Sequence, residues 1–318
     1  MVGSLLTFAG ACSGAPPAKQ PPAVVAPAEV PAPARAPAAP APVAASGSAA
    51  PSSGGTLVGL CEASALLPWQ GGWLVGDNED KRALHGFGPD FTPLGAVPLP
   101  TEVDDIEAVT AGPGGYWVVG SHSTNKDGEP RPARARILAP DGRLVPLALE
   151  ACPRCEAART TAPDAGGFNI EGAAFVDGAL WLGLRGPLSE SGAALLLAVD
   201  ATGRVTRTVE LPLGGHGVRD LLAVPGGLLV VGGPVADGTT NHALWRIGAP
   251  GDAPERLAVD LPASTEGISL DPADSTRLVY VTDGDGKPGK PCKDASTWGA
   301  LSLPAATADP GAAPKDAP

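Results

Sequence analysis

Between residues 56 and 303, short apolar runs alternate with turn residues and fall into repeated units. Each unit opens on a run with a charged residue near its start, and a turn containing Gly or Asp leads into a more strongly apolar run. One unit contains NIEGAAFV and then ALWLGLRG at 169–186, and the next contains GVRDLLAV and then GGLLVVGG at 217–233. A third and a fourth run usually follow. Apolar runs of this length, bounded by turn residues, predict β-strands rather than helices.

The charged residues near the unit starts recur about every 45–50 residues, with one longer interval that an insert at 150–167 explains. They are Glu62, Glu107, Glu171, Arg219 and Glu266. Four short strands that repeat at this period indicate the blades of a β-propeller. A β-sandwich, the competing all-β fold, would not repeat one four-strand pattern five times. We therefore expect an all-β, five-bladed β-propeller, with six blades as the alternative if the insert contains further strands.

The ring is expected to close through a strand at its N-terminal end. The fifth unit lacks an outermost strand, whereas TLVGL at 56–60 stands just before the first inner strand, where every other unit has its outer strand. We expect 56–60 to complete the last blade, which would close the ring through paired backbone.

The long connections between the predicted strands all fall at one end of the propeller. They are 121–133, 186–192, 233–241, 283–296 and the segment around Cys152 and Cys155. Long loops gathered on one face of a rigid scaffold are where binding sites usually lie. We therefore expect any binding site on this long-loop face.

The chain on either side of 56–303 predicts export and a tether. Residues 1–12 form a short apolar run that ends in small residues before Cys12, which resembles a bacterial lipoprotein signal peptide. Residues 13–55 are rich in Pro and Ala and contain no aromatic residue, so they predict a disordered, extended tether, and 304–318 predict a disordered tail. We expect a membrane-anchored lipoprotein of the cell envelope with its lipid on Cys12. The alternative is a secreted or soluble periplasmic protein.

Composition and charge restrict the partners. The 43 Gly and 37 Pro favour a fold with many turns over a helical one. The net charge of -12 gives a surface that repels nucleic acid and anionic lipid. We expect no nucleic-acid partner, membrane contact only through the lipid anchor, and a small molecule or a cation as the partner. We also expect a monomer.

If Cys12 carries a lipid, four cysteines are left, and an even number in an exported chain favours disulfides. A redox pair at Cys152 and Cys155 would need a thioredoxin-like βαβ context, and a four-cysteine zinc site usually shows a second close pair. Neither is present. We expect one disulfide between Cys61 and Cys292, which flank the ring closure on the same face, and another between Cys152 and Cys155.

The charged starts of the inner strands are expected to ring the central channel on the long-loop face. The expected ligand-binding residues are Glu62, Glu107, Glu171, Arg185, Arg219 and Glu266. The candidate metal ligands are Asp77, Glu107, Glu171, Glu266 and Asp283. Converging carboxylates raise one another's pKa unless an Arg or a bound cation compensates, and oxygen-rich ligand sets suit calcium better than zinc. Three roles are therefore open: locking the blades together, binding a ligand or metal, and acid–base catalysis with His122, Glu171 or Arg185 as candidates.

Two segments, GGYWVVGSHSTNKDGEPRPARARIL at 114–138 and GGFNIEGAAFVDGALWLGLRGPL at 166–188, carry motifs of a known family. They strongly resemble the bacterial domain-of-unknown-function family 3616, and the resemblance covers roughly residues 57–303. The resemblance implies a β-propeller, distantly similar to phytase-like and esterase-like propellers, and it implies no established activity. The matching motif positions are Ser121, His122, Ser123, Glu171, Arg185, Gly186 and Pro187.

The leading functional hypothesis is that a charged central pocket on the long-loop face binds a small ligand or a cation such as calcium. A second hypothesis is a metal-assisted hydrolase of phosphate or carboxylic esters, with His122 or a Glu of raised pKa as the base. A third is a protein-interaction scaffold without catalysis. The Gly-x-Ser-x-Gly elbow of serine hydrolases does not occur in the sequence.

Overall fold

A computed structural model of the chain describes residues 53–236, 241–286 and 290–304. These residues form five four-stranded antiparallel sheets, which confirms the five-bladed β-propeller. The predicted leader 1–12, most of the predicted tether 13–55 and nearly all of the predicted tail 304–318 lie outside the described residues. Within the described ranges, no helix has the length and apolar character needed to cross a membrane.

The strands run outward from the axis in each blade, and the first strand of the described residues belongs to the last blade. This first strand is β1 (Ser53–Thr56). Blade 1 contains β2 (Ala63–Trp69), β3 (Gly72–Asp77), β4 (Ala83–Phe87) and β5 (Pro93–Pro98). Blade 2 contains β6 (Ile106–Gly112), β7 (Gly115–Gly120), β8 (Ile137–Leu138) and β9 (Leu144–Val145).

The remaining blades follow the insert between blades 2 and 3, which contains helix α1 (Pro153–Ala158) and a 3-10 turn (Pro163–Ala165). Blade 3 contains β10 (Asn169–Val176), β11 (Ala179–Gly186), β12 (Ala194–Val199) and β13 (Val205–Leu211). Blade 4 contains β14 (Gly217–Val224), β15 (Gly227–Gly233), β16 (Ala243–Ile247) and β17 (Glu255–Arg256). Blade 5 contains β18 (Thr265–Asp271), β19 (Asp274–Thr282) and β20 (Thr297–Ser302), and β1 completes it. The insert forms no blade, so the six-bladed alternative is wrong.

The apolar core of the described residues lies between the blades, in clusters that each join two neighbours. Strand β15 shows the arrangement: Leu228 and Val230 pack toward blade 3, whereas Leu229 and Val231 pack toward blade 5. Successive side chains of a strand point to opposite faces. A strand between two blades therefore needs apolar residues at every position, and this explains the uninterrupted apolar runs in the sequence.

The ring closes through β1, which pairs antiparallel with residues 297–300 of β20. The closing strand thus ends at Thr56, where the predicted segment 56–60 begins, and the prediction was wrong in position. Residues Leu57 and Leu60 are instead buried in the core between blades 5 and 1. This burial explains the difference. Leu57 and Leu60 fill the apolar core between blades 5 and 1, and the strand that closes the ring lies just before them in the chain.

Two disulfides are present, and both were predicted. One joins Cys61, just before the first inner strand, to Cys292 in the β19–β20 connection. The other joins Cys152, the N-cap residue of α1, to Cys155 within the same short helix. Structural disulfides persist in oxidising compartments, so this pair of bonds indicates an extracytoplasmic environment.

Opening the ring-closing disulfide should cost far more stability than opening the other. Cys61 and Cys292 are separated by 231 positions, and Cys152 and Cys155 by 3. The chain-entropy model gives a stabilisation of about 5 kcal/mol for the longer loop and about 2 kcal/mol for the shorter one. We therefore expect a Cys61→Ser/Cys292→Ser variant to lose about 3 kcal/mol more free energy of unfolding in guanidinium chloride than a Cys152→Ser/Cys155→Ser variant. Equal losses would contradict this.

Candidate functional site

Each inner strand carries a β-bulge, at which one residue has no partner on the second strand. In blade 1 the register shifts between Ala63 and Ala65, and the other four inner strands shift at the corresponding point. The bulged residues are Ser64, Glu107, Glu171, Arg219 and Glu266, and all of them line one cavity at the axis. A bulge re-aims a side chain. Here the bulges direct one side chain from each blade into the central cavity.

The bulges place Ser64, rather than the predicted Glu62, at the blade 1 position of this axial ring. Glu62 lies two residues earlier, forms a β-bridge with Asp283, and accepts a hydrogen bond from the Gly286 N–H at 3.2 Å. The Ser64 hydroxyl donates to the carbonyl oxygen of Ile106 in blade 2. Matching the units by their charges therefore misaligned blade 1, because the bulge and not the charge marks the equivalent position.

Glycine beside the bulge lets the inner strands of neighbouring blades approach closely. A Cβ at Gly172 would lie 2.8 Å from the backbone nitrogen of Leu221 in blade 4. A Cβ at Gly267 would lie 2.9 Å from the backbone nitrogen of Leu66 in blade 1. Since both separations are too short for a real Cβ, these positions require glycine, and backbone contact between blades brings the axial side chains within reach of one another.

Arg219 ties three blades together at the axis. Its Nε lies 2.9 Å from Glu171 Oε2 of blade 3, and its Nη2 pairs with Glu266 Oε1 of blade 5. All three side chains are buried. Burial acts to lower the pKa of Arg219, but the carboxylates of Glu171 and Glu266 raise it above its usual value. The guanidinium is therefore charged, and it neutralises two carboxylates that could not otherwise be buried.

Arg185 supports the same cluster from the end of β11. Its Nη1 lies 3.2 Å from Glu171 Oε1, and its Nη2 lies 3.3 Å from Asp164 Oδ1 of the insert. Its Nε donates to the Val235 carbonyl oxygen at 2.7 Å. Arg185 thus compensates the charge of Glu171, as the sequence suggested, and holds the insert at the rim of the cavity.

Glu107 is the axial carboxyl without a basic partner: in the described part of the chain it forms no ion pair and no side-chain hydrogen bond. Burial raises the pKa of Glu107 well above its usual range, and the neighbouring carboxyls of Asp105, Glu171 and Glu266 raise it further. Arg219 opposes this shift but is already bound to Glu171 and Glu266. The cavity therefore contains one axial carboxyl that the protein itself does not neutralise.

The central cavity has a volume of about 460 Å³ and opens among the long loops. Its walls are almost entirely polar: Pro163 is the one apolar residue among the described residues that line it, and none of them is aromatic. Loop residues Asn125 and Lys126 and insert residue Asp164 contribute to the rim. A cavity with such walls suits a ligand that is polar over its whole surface, since polar wall groups must find hydrogen-bond partners.

The side of the cavity formed by blades 5, 1 and 2 is acidic. Glu107 and Asp283 line this acidic side, Glu62 and Glu79 lie beside it, and none of the four has an ion-pair partner in the ranges that the structure covers. Burial raises the pKa of Glu62 to about 7 and that of Asp283 to about 8, and neighbouring carboxyls contribute to both shifts. Asn78 Oδ1, Glu79 Oε2 and Asp283 Oδ1 are buried without a hydrogen-bond partner.

Asp77, one of the candidate metal ligands, is occupied by the backbone. Its Oδ1 accepts the Glu79 N–H at 2.9 Å, and its Oδ2 accepts the N–H groups of Cys61 and Glu62 at 3.2 and 3.4 Å. Among the residues that the structure describes, no three His, Cys, Asp or Glu side chains are grouped as they are around a metal ion.

The Gly-Ser-His-Ser motif forms part of the cavity wall together with Asp105 and Arg134, two residues that the sequence analysis did not identify. The Ser123 hydroxyl lies 2.9 Å from Ser121 Oγ and donates to Asp105 Oδ2 at 3.3 Å. Arg134 Nη1 lies 3.0 Å from the same Asp105 oxygen and donates to Ser123 Oγ at 2.9 Å. The Arg-rich stretch after the motif was the available signal for Arg134. Nothing in the sequence distinguished Asp105 from other loop aspartates.

His122 of this motif does not line the cavity. It has a positive φ of 56° and packs edge-on against Phe168, with the ring centroids 6.5 Å apart. Burial lowers the pKa of His122 to about 3, so the imidazole is neutral at physiological pH. The position of His122 thus gives it no access to a ligand in the cavity.

Removing the guanidinium at the axis should destabilise the whole ring. An Arg219→Met variant leaves Glu266 buried without a partner and Glu171 with Arg185 only, so we expect a loss of about 3–5 kcal/mol in the free energy of unfolding. Adding Glu171→Gln and Glu266→Gln removes the unpaired charges and should restore part of this loss. A fully stable Arg219→Met variant, or no recovery in the triple variant, would contradict the assigned role.

Solved structures that the chain resembles include glutaminyl cyclase from Myxococcus xanthus, with 12% identity and a TM-score of 0.48 over 80% of this chain and 97% of that one. A putative oxidoreductase (glucose dehydrogenase) from Thermus thermophilus gives 16% identity and a TM-score of 0.43, over 78% and 99%. Virginiamycin B lyase from Staphylococcus aureus gives 17% identity and a TM-score of 0.37, over 75% and 74%. Likenesses of this degree carry no functional information. No curated protein matches the chain in sequence.

A family model described as "Protein of unknown function (DUF3616)" matches residues 160–261. This range includes all the strands of blades 3 and 4, and it includes the Ile-Glu-Gly and Leu-Arg-Gly-Pro motifs that carry Glu171 and Arg185. The Gly-Ser-His-Ser segment at 120–123 lies outside it. The resemblance inferred from the sequence motifs is thereby confirmed over residues 160–261 of this five-bladed propeller, which match the DUF3616 family model.

Proposed function

We propose that the propeller binds a small cation on the acidic side of its central cavity. The observation that carries this proposal is the distribution of charge partners. Glu171 and Glu266 are bound to arginines, whereas Glu107 and Asp283 line the same cavity with no basic partner among the described residues.

The cost of burying carboxyls without a basic partner supports this proposal. Carboxyls that burial and like charges force toward the protonated state at neutral pH gain most from a compensating positive charge. Asp283 and Glu62, whose pKa values are raised to about 8 and about 7, are in this condition. A cation there replaces protons on these groups. The buried oxygens of Asn78 and Asp283 that lack hydrogen-bond partners would face it.

The side of the cavity near Arg185 and Arg219 does not support cation binding, because its carboxylates are already neutralised. Of the candidate metal ligands, Glu107 and Asp283 are therefore the two that the proposal retains. Two such carboxyls suit calcium that keeps part of its water shell, or the ammonium group of a small amine. Either cation would supply the positive charge that these carboxyls lack, so either can serve as the probe.

His122 does not line the cavity, so the hypothesis of ester hydrolysis loses its first candidate base. A protein-interaction scaffold is the outcome to which failure of cation binding would point. The enzymatic hypothesis would then need Glu107 as the base.

Cation binding should appear as a pH-dependent thermal stabilisation. In cation-free protein the folded state holds protons on Asp283 between pH 3.8 and about 8 that the unfolded state has lost, so the melting temperature should fall as pH rises through this window. Calcium chloride or putrescine should oppose the fall. At about 100-fold excess over Kd, either probe should raise the melting temperature near pH 8 by about 5–10 °C.

The Asp283→Asn and Glu107→Gln variants should lose most of this response, whereas Asp260→Asn, an exposed site on a loop of blade 4, should respond as the wild type does. The readout is differential scanning fluorimetry across pH, with and without each probe. The proposal fails if neither probe shifts the wild type, or if all three variants respond as it does.

We also propose that the protein is exported and held at the membrane by a lipid on Cys12, which lies outside the described residues. The two disulfides support the export, and the sequence around Cys12 supports the anchor. A Cys12→Ser variant should move from the membrane fraction to the soluble fraction of cells. If the variant and the wild type fractionate alike, the anchor is absent.

A further inference from the structure

Glu171 Oε2 has no hydrogen bond but is in an ion pair with Arg219 Nε, whereas two other buried polar atoms beside it, Asn169 Oδ1 and Arg219 Nη1, have no partner of either kind within the described chain. Both residues line the central cavity, with 4% of Asn169 and 8% of Arg219 exposed. Buried polar groups in folded proteins almost always have partners. Leaving one without a partner costs about 1–3 kcal/mol, and more for a charged group. An acceptor and a donor are therefore both left without a partner on two residues that line the same cavity.

The two atoms flank one carboxylate, and that carboxylate fixes their orientation. Asn169 Nδ2 donates to Glu171 Oε1 at 2.8 Å, so the amide oxygen is the atom left over. Arg219 Nε lies 2.9 Å from Glu171 Oε2, and Nη2 is bound to Glu266, so Nη1 is the atom left over. Glu171 thus holds both side chains in place, and neither can turn to satisfy its remaining atom without losing this ion pair or hydrogen bond.

The chemistry of the pair selects the ligand group. A metal ion or an ammonium group cannot accept a hydrogen bond from Arg219 Nη1. A carboxylate has no hydrogen to donate to Asn169 Oδ1, and acidic residues outnumber basic ones in the cavity lining, which disfavours a phosphate. A hydroxyl group does both, since it has one donor and two acceptor lone pairs.

The other residues that line the cavity are polar as well, so they favour a ligand with several hydroxyl groups. The described lining contains no aromatic residue and Pro163 as its one apolar residue, so polar groups dominate the surface that a ligand would meet. Ser64, Ser123 and Asn125 present further polar groups. A volume of about 460 Å³ lies within the range of small-molecule sites.

We propose that the central cavity binds a polyhydroxylated small molecule, of the polyol or carbohydrate class, with one hydroxyl between Arg219 Nη1 and Asn169 Oδ1. This site uses the arginine side of the cavity and does not depend on a cation at Glu107 and Asp283. The cation proposal and this one can therefore fail separately.

The experiment is saturation-transfer NMR and isothermal titration of the full folded domain with glycerol, myo-inositol and D-glucose, in buffer containing a chelator. We expect at least one of these probes to bind saturably. Its fully O-methylated ether, which accepts hydrogen bonds but cannot donate them, should bind at least about tenfold more weakly, because one buried hydrogen bond is lost.

An Asn169→Leu variant keeps the shape of the side chain but removes the acceptor, and we expect it to weaken binding about tenfold. Arg143→Met changes an exposed residue outside the cavity lining and should bind as the wild type does. If Asn169→Leu does not fold, the ether comparison on the wild type decides. The proposal is overturned if no polyol binds, if the ethers bind as tightly as the parent compounds, or if a folded Asn169→Leu variant binds like the wild type.

Discussion

A guanidinium buried between carboxylates of two neighbouring blades sets the conditions for everything else at the axis. Removing such charges from water costs several kcal/mol per ion, and close partners must offset this cost. The inner strands must therefore approach closely enough for Arg219 to reach Glu171 and Glu266, and the glycines beside the bulges permit this approach. Because Arg219 and Arg185 are bound to these carboxylates, the cavity is neutral toward blades 3 and 4 and acidic toward blades 5, 1 and 2.

The fold could be predicted from the sequence because its physical cause is periodic. A strand held between two blades is apolar on both faces, so the second strands of the units read as runs such as LLVV at 228–231. The missing outer strand of the last unit indicated a closure by the N-terminal end. The position of this closing strand could not be predicted, because Gly54, Gly55 and Thr56 resemble linker residues. The more apolar Leu57 and Leu60 are buried in the core and do not form a strand.

The site was less readable, because a β-bulge has no sequence signal of its own. Charge alone aligned Glu62 with Glu107, whereas the register shift puts Ser64 in that place. The same limit applies to His122, since a positive φ turns it toward Phe168 and away from the axis. What the sequence did contain was the chemistry of the ring, with Arg219 as the one cation among the carboxylates of the inner strands.

The closure by β1 has a consequence for how the protein is made. Its partner residues 297–300 lie about 240 positions after β1, so they leave the ribosome or cross a membrane long after it. The strands of blades 1 to 4 come from contiguous sequence and can pair as they emerge. In blade 5, β1 emerges first and cannot pair until β20 has been made. Contacts this distant in sequence are slow to form. Until blade 5 has formed, Leu57 and Leu60 are exposed to solvent and β1 is an unpaired edge strand. Such an edge can pair with another chain, so the incomplete ring is prone to aggregation.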